Sequence, residues 1–211
     1  MLHLLDFQLL PVPRFSRAFM RLDDDVAAGI APLKRLSERA RNAVRFALWS
    51  AGTSETLRCP ASEVRYLREG CFRAALIEFV SMEEVQSLDY KDQGLSKTPL
   101  KLNDTSDPIL HLFREIRNLE VHLQQSELRS VQRDFMWGDI DRPTEATDIS
   151  MLIWSLEGVT PQSFGSLRNA KNYTADQIAK MTSWLNTTQK EWGIQEFFVL
   201  AVENYCRLLK T

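Results

Sequence analysis

Residues 32–51, PLKRLSERARNAVRFALWSA, carry the pattern that decides the fold class of this chain. Their apolar side chains recur at intervals of three and four residues, which places them on one face of a helix. Pro32 suits the first turn of such a helix, and Gly52 suits its end. We therefore predict an amphipathic helix from Pro32 to Ala51 whose buried stripe is Leu33, Leu36, Ala40, Ala43, Val44, Ala47 and Leu48.

Two further segments repeat this periodicity. Ser62 is predicted to be the N-cap of a second helix that runs to about Val85, with a buried stripe of Val64, Leu67, Cys71, Ala74, Ala75 and Phe79. Residues 86–107 are rich in turn-forming residues and are predicted to be a loop. Asp107 and Pro108 then indicate the start of a third helix, which runs to about Leu128 around Ile109, Leu112, Phe113, Ile116, Leu119 and Leu123. Three consecutive amphipathic helices favour a helical bundle.

The pattern changes after Leu128. Residues 131–137 and 149–154 are compatible with β-strands, so we expect a small β-hairpin or an irregular cap. Thr174 is predicted to open another helix, and residues 194–209 a last one. The expected fold class is mainly all-α. The expected organisation is an N-terminal lead-in (1–29), a helical bundle (30–128) and a C-terminal extension with two helices packed on the same domain (129–211).

Composition limits the classes of function. The net charge of −2 provides no overall basic field, so nucleic acid would need a local basic patch. Three widely spaced cysteines and the lack of an export signal or a membrane-length apolar run predict a cytoplasmic protein. We see no motif for a cofactor or a metal. The exposed sides of the first two helices are basic, with the cations Lys34, Arg35, Arg39, Arg41, Arg45, Arg65, Arg68 and Arg73. This enrichment is compatible with a phosphate-binding surface or with ordinary ion pairs to Glu38, Glu63 and Glu69.

The third helix contains the residues that indicate chemistry, in the segment Arg117-Asn118-Leu119-Glu120-Val121-His122. A guanidinium that stays charged can steady phosphate oxygens, and an imidazole that titrates near neutrality can move a proton. On a helix, residues 111, 118 and 122 fall within about 40° of one another, opposite the apolar stripe. We expect this polar face to line a cleft, with Arg114 and His111 binding substrate.

Arg117 is the difficult member of this group. On an ideal helix it lies about 140° from His122, so its side chain must wrap around the helix or a second subunit must supply the arginine. Glu120 is close enough in sequence to pair with Arg117, and that pairing would make the arginine structural.

The segment from Arg117 to His122, on the last long helix of a bundle, resembles the Arg, polar residue, then His motif of HEPN-domain proteins. Many of these are metal-independent ribonucleases of toxin–antitoxin and phage-defence systems. The resemblance implies a homodimer in which two motifs meet in one cleft, with Arg117 and His122 catalytic, Asn118 positioning them, and RNA and an antitoxin or other protein as partners. Because some HEPN proteins have lost catalysis, the alternatives are a non-catalytic module that binds nucleic acid or protein, and a helical structural protein.

Overall fold

A computed structural model describes residues 23–52, 58, 60, 62–122, 127–139 and 142–210. Of the predicted lead-in at residues 1–29, residues 1–22 lie outside these ranges. The described chain is mainly helical with one two-stranded antiparallel sheet, which confirms the predicted class. The helices are α1 (Asp23–Ala27), α2 (Lys34–Ala51), α3 (Val64–Asp92), α4 (Pro108–His122), α5 (Pro161–Gly165), α6 (Ala175–Trp192) and α7 (Ile194–Leu209), and the strands are β1 (Glu127–Asp139) and β2 (Arg142–Glu157). No helix in these ranges is long and apolar enough to cross a membrane.

Helix α3 is longer than predicted, because polar residues that suggested a loop have buried partners. Asp89 is 2% exposed, and its carboxylate accepts the backbone N–H groups of Arg35 at 3.3 Å and Leu36 at 2.8 Å. These N–H groups belong to the first turn of α2, where no helical carbonyl can reach them. Asp89 therefore caps α2 from another helix, which a local reading of residues 86–107 could not show.

The buried face of α3 is also rotated from the predicted stripe. Leu67 is exposed and Cys71 is half-buried, whereas Arg68 and Phe72, one position further on, are buried. The start was wrong as well, because the helix begins at Val64 and its first turn has no side-chain cap from Ser62.

Helix α4 begins at Pro108 as predicted, and the backbone N–H of Ile109 donates to the Asp107 carboxylate at 3.0 Å. It ends at His122, earlier than the predicted Leu128, because β1 begins at Glu127 and Leu128 pairs with Leu156 of β2. The hairpin is thus confirmed and the irregular cap is not.

The C-terminal helices close the core. Thr174 caps α6 with a side chain that accepts the Gln177 N–H, and α7 has the predicted bounds. From α7, the ring of Phe198 packs edge-on against Phe72, Phe79 and Phe113 at centroid distances of 5.9, 5.6 and 5.2 Å. Residues on both sides of the predicted boundary at 128/129 therefore contribute to one hydrophobic core.

Candidate functional site

The last turns of α4 carry the predicted catalytic segment. Arg117 and Asn118 are half-buried, and His122 is the final residue of the helix. The side chains of Glu120 and His122 lie outside the described residues, so the predicted pairing of Glu120 with Arg117 lies outside them too.

The Arg117 side chain is held by its neighbour. Its Nη1 donates to Oδ1 of Asn118 at 3.3 Å, and Nδ2 of Asn118 donates to Oε2 of Glu115 at 3.1 Å. Asn118 is one residue further along the helix, so the guanidinium bends round towards the side of α4 that Asn118 occupies. An amide with both ends engaged cannot flip, and Arg117 therefore meets a fixed acceptor.

The predicted cleft-facing polar side of α4 is closed at His111 and Glu115, each only 1% exposed. The expectation that His111 lines a cleft is wrong, because residues 169–173 of the same chain lie across it and across Glu115 beside it. Asn169 donates to Oε1 of Glu115 at 3.4 Å, and the Tyr173 hydroxyl lies 3.1 Å from Nδ1 of His111. For His111 to bind substrate as predicted, this cover would have to move.

The Tyr173 hydroxyl lies between the two covered groups, His111 and Glu115. Nε2 of His111 lies 3.0 Å from the Thr105 carbonyl, which can only accept, so Nε2 carries a hydrogen. The Tyr173 hydroxyl has one proton and two neighbours that can take it, Nδ1 of His111 at 3.1 Å and Oε1 of Glu115 at 3.3 Å. One more proton, on Glu115 or on His111, satisfies both contacts.

Burial affects both of the groups that could carry that proton. It lowers the pKa of His111 and raises the pKa of Glu115, since both would otherwise carry charge away from water. Both shifts favour the neutral forms of these two buried side chains.

Arg114, the other predicted substrate-binding residue, sits at the edge of this network. Its side chain is 22% exposed, and Nε lies 3.9 Å from Oε1 of Glu83 on α3. Among the described residues, its buried Nη1 has no hydrogen-bond partner. Arg114 lies about one helical turn before Arg117, and its Nη1 could still donate a hydrogen bond there.

The predicted basic surface on α2 and α3 is largely neutralised. The observed partners fit the ion-pair interpretation better than a phosphate-binding surface, although only Glu69 belongs to the predicted set. Arg68, expected on the exposed side, is buried with its guanidinium 3.6 Å from the centre of the Trp154 ring. The pairs are Arg35 with Asp89 and Asp92, Arg39 with Glu78, Arg41 with Asp24, and Arg65 and Arg73 with Glu69.

Sequence reasoning missed Asn169 and Tyr173, which complete the network. They come from the segment between α5 and α6, and nothing in its local pattern points to α4. The residues just before this segment line a shallow depression of about 460 Å³. Its lining contains none of the predicted site residues and consists of Gly158, Thr160, Gln162, Ser163 and Ser166.

No cluster of three or more His, Cys, Asp or Glu side chains in the described ranges is arranged to hold a metal ion. Comparison of the chain with protein-family models, with curated proteins and with solved structures found no match to any of them.

Proposed function

We propose that this protein is a metal-independent endoribonuclease of the HEPN type, with Arg117, Asn118 and His122 as its working residues. One observation carries the proposal: the bond from Nη1 of Arg117 to Oδ1 of Asn118, with Asn118 in turn held by the buried Glu115. Residues 118 and 122 are about 40° apart on an ideal helix. An arginine that bends towards Asn118 therefore turns towards the side of α4 where the sequence puts His122.

On an ideal helix the side chains of Arg117 and His122 point about 140° apart, which is the main difficulty of a site built within one chain. The bending of Arg117 reduces that angle. A guanidinium fixed by an amide needs little reorganisation before it meets a phosphate, and fixed donors aimed at developing charge are a large part of catalysis. His122 would accept the proton of a ribose 2'-hydroxyl, and the 2'-oxygen would attack the adjacent phosphorus. The 5'-oxygen then leaves and takes a proton from water. The products are a 2',3'-cyclic phosphate and a 5'-hydroxyl, and Arg117 stabilises the charge on the phosphorus oxygens.

The test is cleavage of single-stranded RNA by purified protein in the presence of a chelator. We expect cyclic-phosphate ends, no cleavage of the matching DNA, and loss of most activity in His122→Ala and Arg117→Lys. An ammonium cannot reproduce the planar fork of the guanidinium. Arg207→Lys is the matched control, because Nη1 of Arg207 also donates to an asparagine, Asn204, at 3.2 Å but on α7.

Full activity in His122→Ala would contradict the proposal. So would products with a 5'-phosphate and a free 3'-hydroxyl, or a wild-type protein that cuts no single-stranded RNA. Far-UV circular dichroism of each variant separates a chemical effect from a folding defect.

A non-catalytic module that binds RNA or a protein is the second candidate. The cover formed by Asn169 and Tyr173 favours it, because two of the polar groups on α4 then serve the fold and not a ligand. Under this alternative, RNA or a partner protein binds to the same polar face without cleavage.

A further inference from the structure

We infer that the outer face of α3 binds the α3 of a second copy of this chain, antiparallel and centred on Ile77. The inference goes beyond the proposed function and does not depend on RNA cleavage. Four large apolar side chains stay open to solvent on this helix. Leu67, 39% exposed, lies to one side; the inference begins from the other three, Tyr66 at 75%, Ile77 at 42% and Leu88 at 51%.

These three residues form one line. Tyr66 and Leu88 each lie 11 residues from Ile77, in opposite directions. Eleven residues make slightly more than three complete helical turns, so all three point to the same side within about 40°. The positions between them are small or polar, and a Cβ added at Gly70 would have nothing within 4 Å. The line, from here the α3 stripe, comprises Glu63, Tyr66, Gly70, Arg73, Ile77, Ser81, Glu84, Leu88 and Lys91.

The α3 stripe is complementary to itself when it is reversed. If two copies pair antiparallel about Ile77, Ile77 meets Ile77 and Tyr66 of each copy meets Leu88 of the other. Fourteen residues from Ile77 on either side are Glu63 and Lys91, which therefore also face each other, twice. Both are exposed, and neither has an ion-pair partner within the described part of the chain. Apolar residues thus meet apolar ones at three places, and opposite charges meet at both ends, as a two-fold interface requires.

Contact area sets the expected strength. A helix of 29 residues is about 43 Å long, and a strip about 10 Å wide along it covers roughly 430 Å² per copy. The total of roughly 900 Å² is below the size of a standard stable interface and within the range of transient ones. We therefore expect a weak, reversible dimer with a Kd in the micromolar range.

This dimer differs from the one that the sequence predicted, in which residues 111–122 of two copies face each other. That face is covered at His111 and Glu115 by residues of its own chain. Helix α4 contacts α3 at Glu83, about 120° round the helix from Ile77, so it stays outside the α3 contact. Each copy then keeps its own segment from Arg117 to His122.

Sedimentation equilibrium of the full chain over about 1 to 100 μM tests the interface. We expect Ile77→Arg to abolish the dimer, since two arginines would meet on the two-fold axis, while the exposed side chain leaves the fold intact. Leu208→Arg is the control, because Leu208 is equally exposed at 45% but lies on α7. A wild-type protein that is monomeric at the highest concentration would overturn the inference, and so would a dimer that survives Ile77→Arg.

A charge swap tests the antiparallel register. Glu63→Lys alone and Lys91→Glu alone should each weaken the dimer by roughly threefold to tenfold, because like charges then meet at both ends. The double variant restores opposite charges and should recover the wild-type Kd. If the double variant is as weak as the singles, the register about Ile77 is wrong. None of these measurements uses RNA, so their failure is separate from failure of the proposed function.

Discussion

Removing the Tyr173 hydroxyl tests whether residues 169–173 are locked onto α4. Tyr173→Phe keeps the aromatic ring, which packs edge-on against His111 at 5.9 Å between centroids, and deletes only the oxygen that joins His111 to Glu115. The substitution therefore isolates the polar lock from the packing.

The expected loss follows from what each partner retains. Glu115 keeps the amide donors of Asn118 and Asn169, but Nδ1 of His111 loses its partner in a buried site. One orphaned buried group together with the lost bonds costs about 1.5–3 kcal/mol in the free energy of unfolding. For a protein of this size, that corresponds to a fall in Tm of about 3–12 °C.

Urea unfolding at pH 7, followed by tryptophan fluorescence and circular dichroism, measures this loss. Tyr90→Phe is the control, because Tyr90 is also buried but its hydroxyl makes a long bond of 3.4 Å to Gln86, whose Oε1 still accepts the Leu100 N–H. We expect the control to lose less than about 1 kcal/mol. If Tyr173→Phe costs no more than Tyr90→Phe, the hydroxyl does not lock the cover, and His111 and Glu115 are held by packing alone.

Three further predictions concern the same scaffold. Gln189→Met should lower the free energy of unfolding by about 2–4 kcal/mol, because the Gln189 amide bonds both the N–H and the C=O of Leu156 at 2.7 Å. Gln195→Met is the control and should cost only about 1 kcal/mol in the same urea titration, because the Gln195 amide makes one bond to the Ser50 hydroxyl. Wild type should lose stability relative to His111→Gln as the pH falls below 6.5, by at most about 1.4 kcal/mol per pH unit, because the unfolded histidine then takes up a proton that the folded one, with its lowered pKa, does not. Equal pH profiles would show that folding does not lower the pKa of His111. Thr174→Ala should cost about 1 kcal/mol by removing the cap of α6, and no change in the urea midpoint would count against that cap.

Helix periodicity correctly predicted the helices whose apolar pattern is set by residues close together in the sequence. The segments of α2, α4, α6 and α7 were found because their apolar residues repeat locally, and a repeat of three and four residues has one helical solution. The end of α3 was missed because Asp89 and Gln86 look like loop residues until their partners are known. Those partners, the first turn of α2 and the backbone of Leu100, lie 53 and 14 residues away.

The same limit applies to the candidate site. Arg117 and Asn118 were placed correctly on one helix, since both lie within its periodic segment. The cover over Glu115 was not foreseen, because Tyr173 is 58 residues further along the chain and its local sequence indicates only the start of α6. Projection on a helical wheel gives the direction of a side chain but not what another part of the chain lays over it.

Glu115 connects the fold to the candidate site, and this makes it a poor position for testing catalysis. Its Oε1 accepts from Asn169 and Tyr173 of the cover, while its Oε2 accepts from Asn118 and so fixes the acceptor of Arg117. A substitution there would loosen the cover and the arginine together, and a loss of activity could not be assigned to either. Asn118 is half-buried and touches only the second of these functions. If the orientation of Arg117 matters for chemistry, a change at Asn118 should alter turnover while the cover, and with it the stability of the fold, is largely retained.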